Sequence, residues 1–291
     1  RVAPLTVSRC WRWCGIWRRA MGDAALADRI DGVRQLGGVV RAMTGIAGAR
    51  ARTARAQIAA VEGYAASLGA SLRQARALAG VAGPPPEMRP ALVVFCAEQG
   101  FVGGFSDRVL DAVTPAAADL FVIGSRGLAL AQARGIVPVW SAAMPSRSAS
   151  LPSFADSLMT ALLAQGLPRQ IGVLRTLWAQ GQGRVDRQVL FPLSPEAPMQ
   201  VASSPLTNLP AADLVAAITL DALHAGLTRA ALEAFVAENE ARRSAMSAAT
   251  RQIEDELETL QALSRRQRQE AITDEILEIS AGARVGLRTP A

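Results

Sequence analysis

Few residues in this chain could do chemistry, and the spacing of most of them argues against it. Gly100-Phe101-Val102-Gly103-Gly104 follows a short apolar run and precedes a helical pattern. In that setting backbone amides can cradle a phosphate. A dinucleotide fingerprint needs Gly-x-Gly-x-x-Gly and an acid about twenty residues on. Here the spacing is Gly-x-x-Gly-Gly, the loop is four residues longer than a tight turn requires, and Asp119 precedes the second apolar run instead of ending it. A flexible loop at the sheet edge is the competing reading. Gly124-Ser125-Arg126-Gly127, after the second run, either binds an anion at a helix start or merely reverses the chain.

Composition removes most other chemistries. The 291 residues include no lysine, so a P-loop, a Schiff-base enzyme and a kinase-type phosphate lysine are excluded. The single histidine, His224, lies in an Ala- and Leu-rich helical stretch with no carboxylate pair or serine placed to use it. Cys10, Cys14 and Cys96 are too few for a disulfide framework and fit a reducing compartment. Cys10 and Cys14, with no histidine nearby, give only a weak metal signal, and Cys96 reads as a small buried hydrophobe. Arg41, Arg50, Arg52 and Arg55 form a group with no acid between Asp31 and Glu62. It is either a solvated face or a surface for an acidic partner. No catalytic residue, cofactor or metal is expected.

Net charge is +6, but five arginines fall in the first twenty residues, leaving the rest at +1. Nucleic-acid binding therefore has little electrostatic support. Residues 1–20 also hold three of the five Trp and two of the three Cys, and they begin with Arg. They read as a non-native or disordered extension, with a basic, Trp-rich membrane-surface tail as the rival. No membrane span is expected, because the most apolar long window, near residues 209–226, contains Asp213 and Asp221. The protein is read as soluble or peripherally attached.

The elements that must position any site are mostly helical. Leu26, Val33, Val40, Ala47, Ala54, Val61 and Leu68 recur at intervals of seven, which predicts one coiled-coil helix over 24–78. Such a helix would span roughly 80 Å. Gly83-Pro84-Pro85-Pro86 ends it. A second long helix begins near Pro210, or after a break at Gly226, with Met246, Ile253 and Leu260 on its seam and Ala249 and Leu263 beside them. The first helix carries net charge +5 and residues 238–279 carry −4, which favours antiparallel pairing. Between them, runs at 91–95, 119–123 and 136–140 alternate with helical patterns at 106–113 and 127–134. That order predicts a parallel sheet. A loop at 145–152, a helix near 154–165 and strands at 171–179 and 184–193 follow.

The predicted fold class is thus α/β, with a long antiparallel coiled coil of N- and C-terminal helices plus a central Rossmann-like domain. The boundaries are 1–20 for the extension, 21–80 and 209–287 for the coiled-coil helices, and 90–205 for the α/β domain.

These parts, in this order, resemble the gamma subunit of F-type ATP synthases. Glu240-Ala241-Arg242-Arg243-Ser244-Ala245-Met246-Ser247-Ala248-Ala249-Thr250 resembles the family's Ala-Arg-Met-x-Ala-Met-x-Ala-Ala-Thr stretch. Arg268-Gln269-Glu270-Ala271-Ile272-Thr273-Asp274-Glu275-Ile276 resembles its Arg-Gln-Ala-x-Ile-Thr-x-Glu-Leu/Ile pattern. Arg41-Ala42-Met43 resembles its Lys-Ala-Met, and residues 97–106 resemble its Ser-Asp-Arg-Gly-Leu-Cys-Gly-Gly-Leu-Asn loop. Thr44-Gly45 and Ser264-Arg265-Arg266-Gln267 depart from the family, and the loop lacks its Asp-Arg and Cys. The departures suggest a divergent branch, with the alternative sodium-translocating complexes as one candidate.

The resemblance implies a non-catalytic rotor subunit that couples ion flow, of protons or sodium, to ATP synthesis or hydrolysis. It implies catalytic α and β subunits, an epsilon subunit and a c-ring as partners. It also implies a peripheral place at the cytoplasmic face of a bacterial inner membrane. Arg268, Gln269, Thr273, Met43 and Arg242 are the implied contacts with the catalytic ring, with the first three acting as a polar catch. The alternative is a nucleotide-binding α/β enzyme dimerised by its coiled coil.

Overall fold

The computed structural model describes residues 7–79, 89–114, 118–164, 166–192 and 206–286, with side chains in the two long helices from Ala24 and up to Ala281. The chain divides into two units: Arg1–Met43 with Met246–Ala291, and Thr44–Ala245. Its elements are α1 (Val7–Ala79), β1 (Ala91–Phe95), α2 (Phe105–Asp111), β2 (Asp119–Ile123), α3 (Ser125–Ala133), β3 (Trp140–Ala142), α4 (Leu151–Leu163), β4 (Ile171–Ala179), β5 (Gln182–Phe191) and α5 (Ala211–Gly286). The helices α1 and α5 contribute to both units.

In the larger unit the strands form one sheet in the order β3-β2-β1-β4-β5. Strands β1–β4 run parallel, and β5 returns antiparallel to β4 through a tight hairpin. All five residues of β1 are buried, as a parallel strand covered on both faces requires. Val93, Phe95, Phe121, Ile123 and Ile171 pack with Leu151, Leu158, Leu227 and Phe235 of α4 and α5. Leu92, Val94, Leu120 and Val122 pack with Val109, Leu110 and Ala131 of α2 and α3. Each large apolar side chain so buried contributes roughly 1.5–3 kcal/mol.

Several boundaries differ from expectation. The third strand covers Trp140–Ala142, paired with Phe121–Ile123, and not 136–140. Pro138 lacks the N–H a ladder needs. Ile136 is buried while Val137 and Val139 are 84% and 63% exposed, so that run is a loop. Helix α4 starts at Leu151 because Pro152 fits the first helical turn. Gly226 is not a break. A Cβ there would lie 3.3 Å from Leu190 Cδ2, so the glycine lets α5 approach β5. The helix α5 also holds an 18-residue window of mean hydropathy 1.3, apolar enough by length and composition to cross a membrane, with 28% of it buried. The expectation that no stretch is long and apolar enough to span a membrane therefore does not hold for this helix.

The heptad pattern of α1 holds in both units. In the larger one Ala47, Ala51 and Ala54 are at most 2% exposed, and small residues keep the helix contact close. There Arg55 bonds Glu240 at 3.0 Å, a pairing between helices of opposite charge. In the smaller unit Val40, Met246 and Ile253 form a cluster flanked by Val33, Ala249 and Leu257. A Cβ at Gly37 would lie 3.2 Å from Ile253 Cγ2, and Arg29 bonds Glu256 at 2.7 Å, so the helices run antiparallel. Leu263 is 46% exposed and not on the seam. Helix α1 begins at Val7, upstream of the Met21 boundary that composition suggested. Residues 1–6 lie outside the described residues, as do the side chains of Cys10 and Cys14.

Candidate functional site

Open α/β sheets bind ligands beyond the carboxyl ends of their strands, where the strand order switches. Here the switch lies between β1 and β4. At the carboxyl end of β1, on the side of β2 and β3, the chain supplies its own anion. Glu98, just past β1, accepts bonds at Oε2 from the amides of Ser125 and Met144, each at 2.9 Å. Its Oε1 accepts the Ser125 hydroxyl at 2.8 Å. Ser125 opens α3, so the chain's own carboxylate sits at the positive helix end a phosphate would seek.

The glycines beside it serve packing. A Cβ at Gly124, whose φ is +104°, would stand 2.6 Å from Cys96 O. One at Gly127 would stand 1.9 Å from Cys96 Cβ. They let α3 lie directly on β1. Burial pushes the Cys96 thiol up to about 12, against a weaker opposing bond from Ser106, so it is not a nucleophile.

A second carboxylate, Glu238 of α5, accepts the amides of Glu98 and Gln99 at 3.1 and 3.2 Å. Arg242, one turn on, donates to Glu238 at 2.5 Å and to Gly100 O at 3.3 Å. Their side chains are only 4% and 10% exposed. The glycine loop is therefore pinned next to a central strand, which corrects the expectation of a flexible loop at the sheet edge. At its tip Phe101 is held at φ 61° and 66% exposed. A non-glycine residue there carries about 1–3 kcal/mol of strain.

A further network joins α5 to the sheet. Arg175 of β4 is 3% exposed and bonds Glu233 at 2.5 Å and Gln188 at 2.9 Å. Gln188 also accepts from Arg229 at 2.9 Å. His224 does have a carboxylate partner: its Nε2 lies 3.0 Å from Asp156 Oδ1 and 3.2 Å from Pro152 O, joining α5 to α4. These residues were missed because their partners are 58 and 72 positions away for Arg175–Glu233 and His224–Pro152. Glu238 with Arg242 and Arg229 with Glu233, each at helical spacing of four, left a local signal.

The five residues expected to meet a partner fall into two groups. Arg268, Gln269 and Thr273 are exposed on α5, and the Thr273 hydroxyl donates to Gln269 O at 2.9 Å. Met43 is 37% exposed on α1. Arg242 turns inward, 8% exposed, and spends its guanidinium on Glu238 and Gly100.

Comparison with known proteins follows the same order of elements. A family model described as ATP synthase matches residues 24–285. The ATP synthase gamma chain of Frankia casuarinae is 30% identical over 286 residues, covering 88% of this chain and 94% of that one. That of Pelodictyon phaeoclathratiforme is 28% identical over 282 residues, covering 88% and 95%. A chain in the Euglena gracilis mitochondrial ATP synthase OSCP/F1/c-ring structure, rotational state 3, aligns with a TM-score of 0.65 at 14% identity, covering 94% and 98%. At that identity the likeness is one of fold.

Proposed function

Because this chain belongs to the ATP synthase gamma-chain family, a non-catalytic subunit of the central stalk, we propose that it is the rotor that couples ion flow to ATP chemistry. The observation carrying this is the match over 24–285, which includes both long helices and the α/β unit. Its partners are the catalytic α and β subunits, the epsilon subunit and the c-ring, at the cytoplasmic face of a bacterial inner membrane. A rigid asymmetric element that turns past identical partners biases each between states of different nucleotide affinity. Either protons or sodium serve this scheme, since the ion is selected in other subunits.

Arg268, Gln269, Thr273 and Met43 contact the catalytic ring in this proposal. Arg268 offers a forked, charge-assisted bond to a carboxylate. Arg242 acts on a partner only through the loop it holds. The enzyme alternative is not favoured, because Glu98 occupies the anion position at α3. Affinity purification of the chain from its own cells tests the proposal. Recovery of catalytic and c-ring subunits is expected; their absence in a detergent extract that keeps other complexes whole overturns it.

A further inference from the structure

A cavity of about 640 Å³ opens at the amino ends of β1 and β2, the opposite strand ends from Glu98. Ligand pockets run from about 300 to 1,000 Å³. Its floor is aromatic: Phe121 and Trp140 lie with ring centroids 6.1 Å apart, tilted 42°. Leu162 of α4 walls one side. Ala161, Ala164 and Gly166 also line it, where larger residues would fill the space.

The cavity carries a charged pair. Arg89, 66% exposed, meets Asp119 through one guanidinium nitrogen at 3.4 Å. The guanidinium has five donors in a planar fork that matches a carboxylate or sulfonate. Asp119 holds that fork at only 3.4 Å and Arg89 is exposed, so a ligand with an apolar body for the aromatic floor and a single anionic group can take Asp119's place on the guanidinium. We propose that this cavity is a binding site for a small aromatic monoanion. Nothing in the coupling role requires it, so the site and that role stand or fall separately.

The test titrates the full chain with 1-anilinonaphthalene-8-sulfonate and with neutral N-phenyl-1-naphthylamine, counting sites by calorimetry. Ser157 is exposed on α4 and lines the cavity, so Ser157→Trp should block it without entering the core. Expected is one fewer site for both probes in Ser157→Trp. Arg89→Gln should weaken the sulfonate about tenfold, as loss of a charge-assisted bond does, and leave the neutral probe unchanged. Site number unchanged in Ser157→Trp, or equal weakening of both probes in Arg89→Gln, overturns the proposal. Should Ser157→Trp melt early, Ala161→Leu fills the same space and is read the same way.

Discussion

In the α/β unit, Arg175, Glu238 and Arg242 are at most 8% exposed, and each is bonded to groups brought from elsewhere in the chain. In the other unit Ile272, Ile276, Leu277 and Ile279 are 51–67% exposed on α5. The first unit meets most of these demands from within, although Arg175 Nη1, Thr228 Oγ1 and Asn239 Oδ1 are buried without a hydrogen bond. Both units expose apolar residues, Phe101, Val137 and Val139 among them in the first, but the second has only a narrow apolar seam of its own. Ile272, Ile276 and Ile279 fall at spacings of four and three on α5, and an exposed apolar face of that kind marks a place for a partner. Substitutions should therefore act on folding in one unit and on association in the other.

The largest effect expected is in the α/β unit. Glu238→Ala leaves Arg242 buried without its carboxylate and two backbone amides without an acceptor. Removing one member of a buried pair costs about 3–5 kcal/mol. Denaturant unfolding should show that loss; a change near zero would mean the network does not hold the loop.

Next comes Arg268→Leu with Gln269→Leu, both at exposed positions of α5. The isolated chain should unfold as the parent does. Association with a catalytic ring should weaken by roughly 1.5–3 kcal/mol, the worth of a charged hydrogen bond. A comparable loss from Arg251→Gln would show that any change of charge on α5 suffices.

Much of this contrast was legible in the sequence. Heptad spacing located the helix seam, since Val40, Ala47, Ala54, Met246, Ile253 and Leu260 are all buried. The runs 91–95 and 119–123 became β1 and β2 with the same boundaries. The third strand was misplaced because apolar content outweighed Pro138. The interior of the site was hidden for a different reason. No spacing rule reports that Glu98 will cap a helix 27 residues on, or that α3 will press Gly127 against Cys96. Those are facts of packing between distant segments.

A smaller effect depends on pH. Burial works to raise the Glu240 carboxyl, but bonds and charge from Arg243 and Arg55 win and hold it below its ordinary 4.5. A lowered folded-state value means this contribution is present above about 4.5 and is lost as pH falls through the folded value. Glu240→Gln should flatten that acid limb of the stability profile. An unchanged limb would place the acid sensitivity elsewhere.

The smallest effect belongs to the helix pair. Arg29 and Glu256 are 64% and 43% exposed at 2.7 Å. Arg29→Ala should cost about 0–1 kcal/mol, as exposed ion pairs do. A loss rivalling that of Glu238→Ala would erase the distinction between the two units.

Reconstitution with the α and β subunits of the same organism tests the central claim most directly. The purified chain should join them in a stable complex with cooperative ATPase activity, while alone it hydrolyses nothing. Arg268→Leu with Gln269→Leu should lower complex yield without changing the melt of the free chain. If the parent chain fails to associate under conditions where α and β form an active ring, it is not the rotor of that ring.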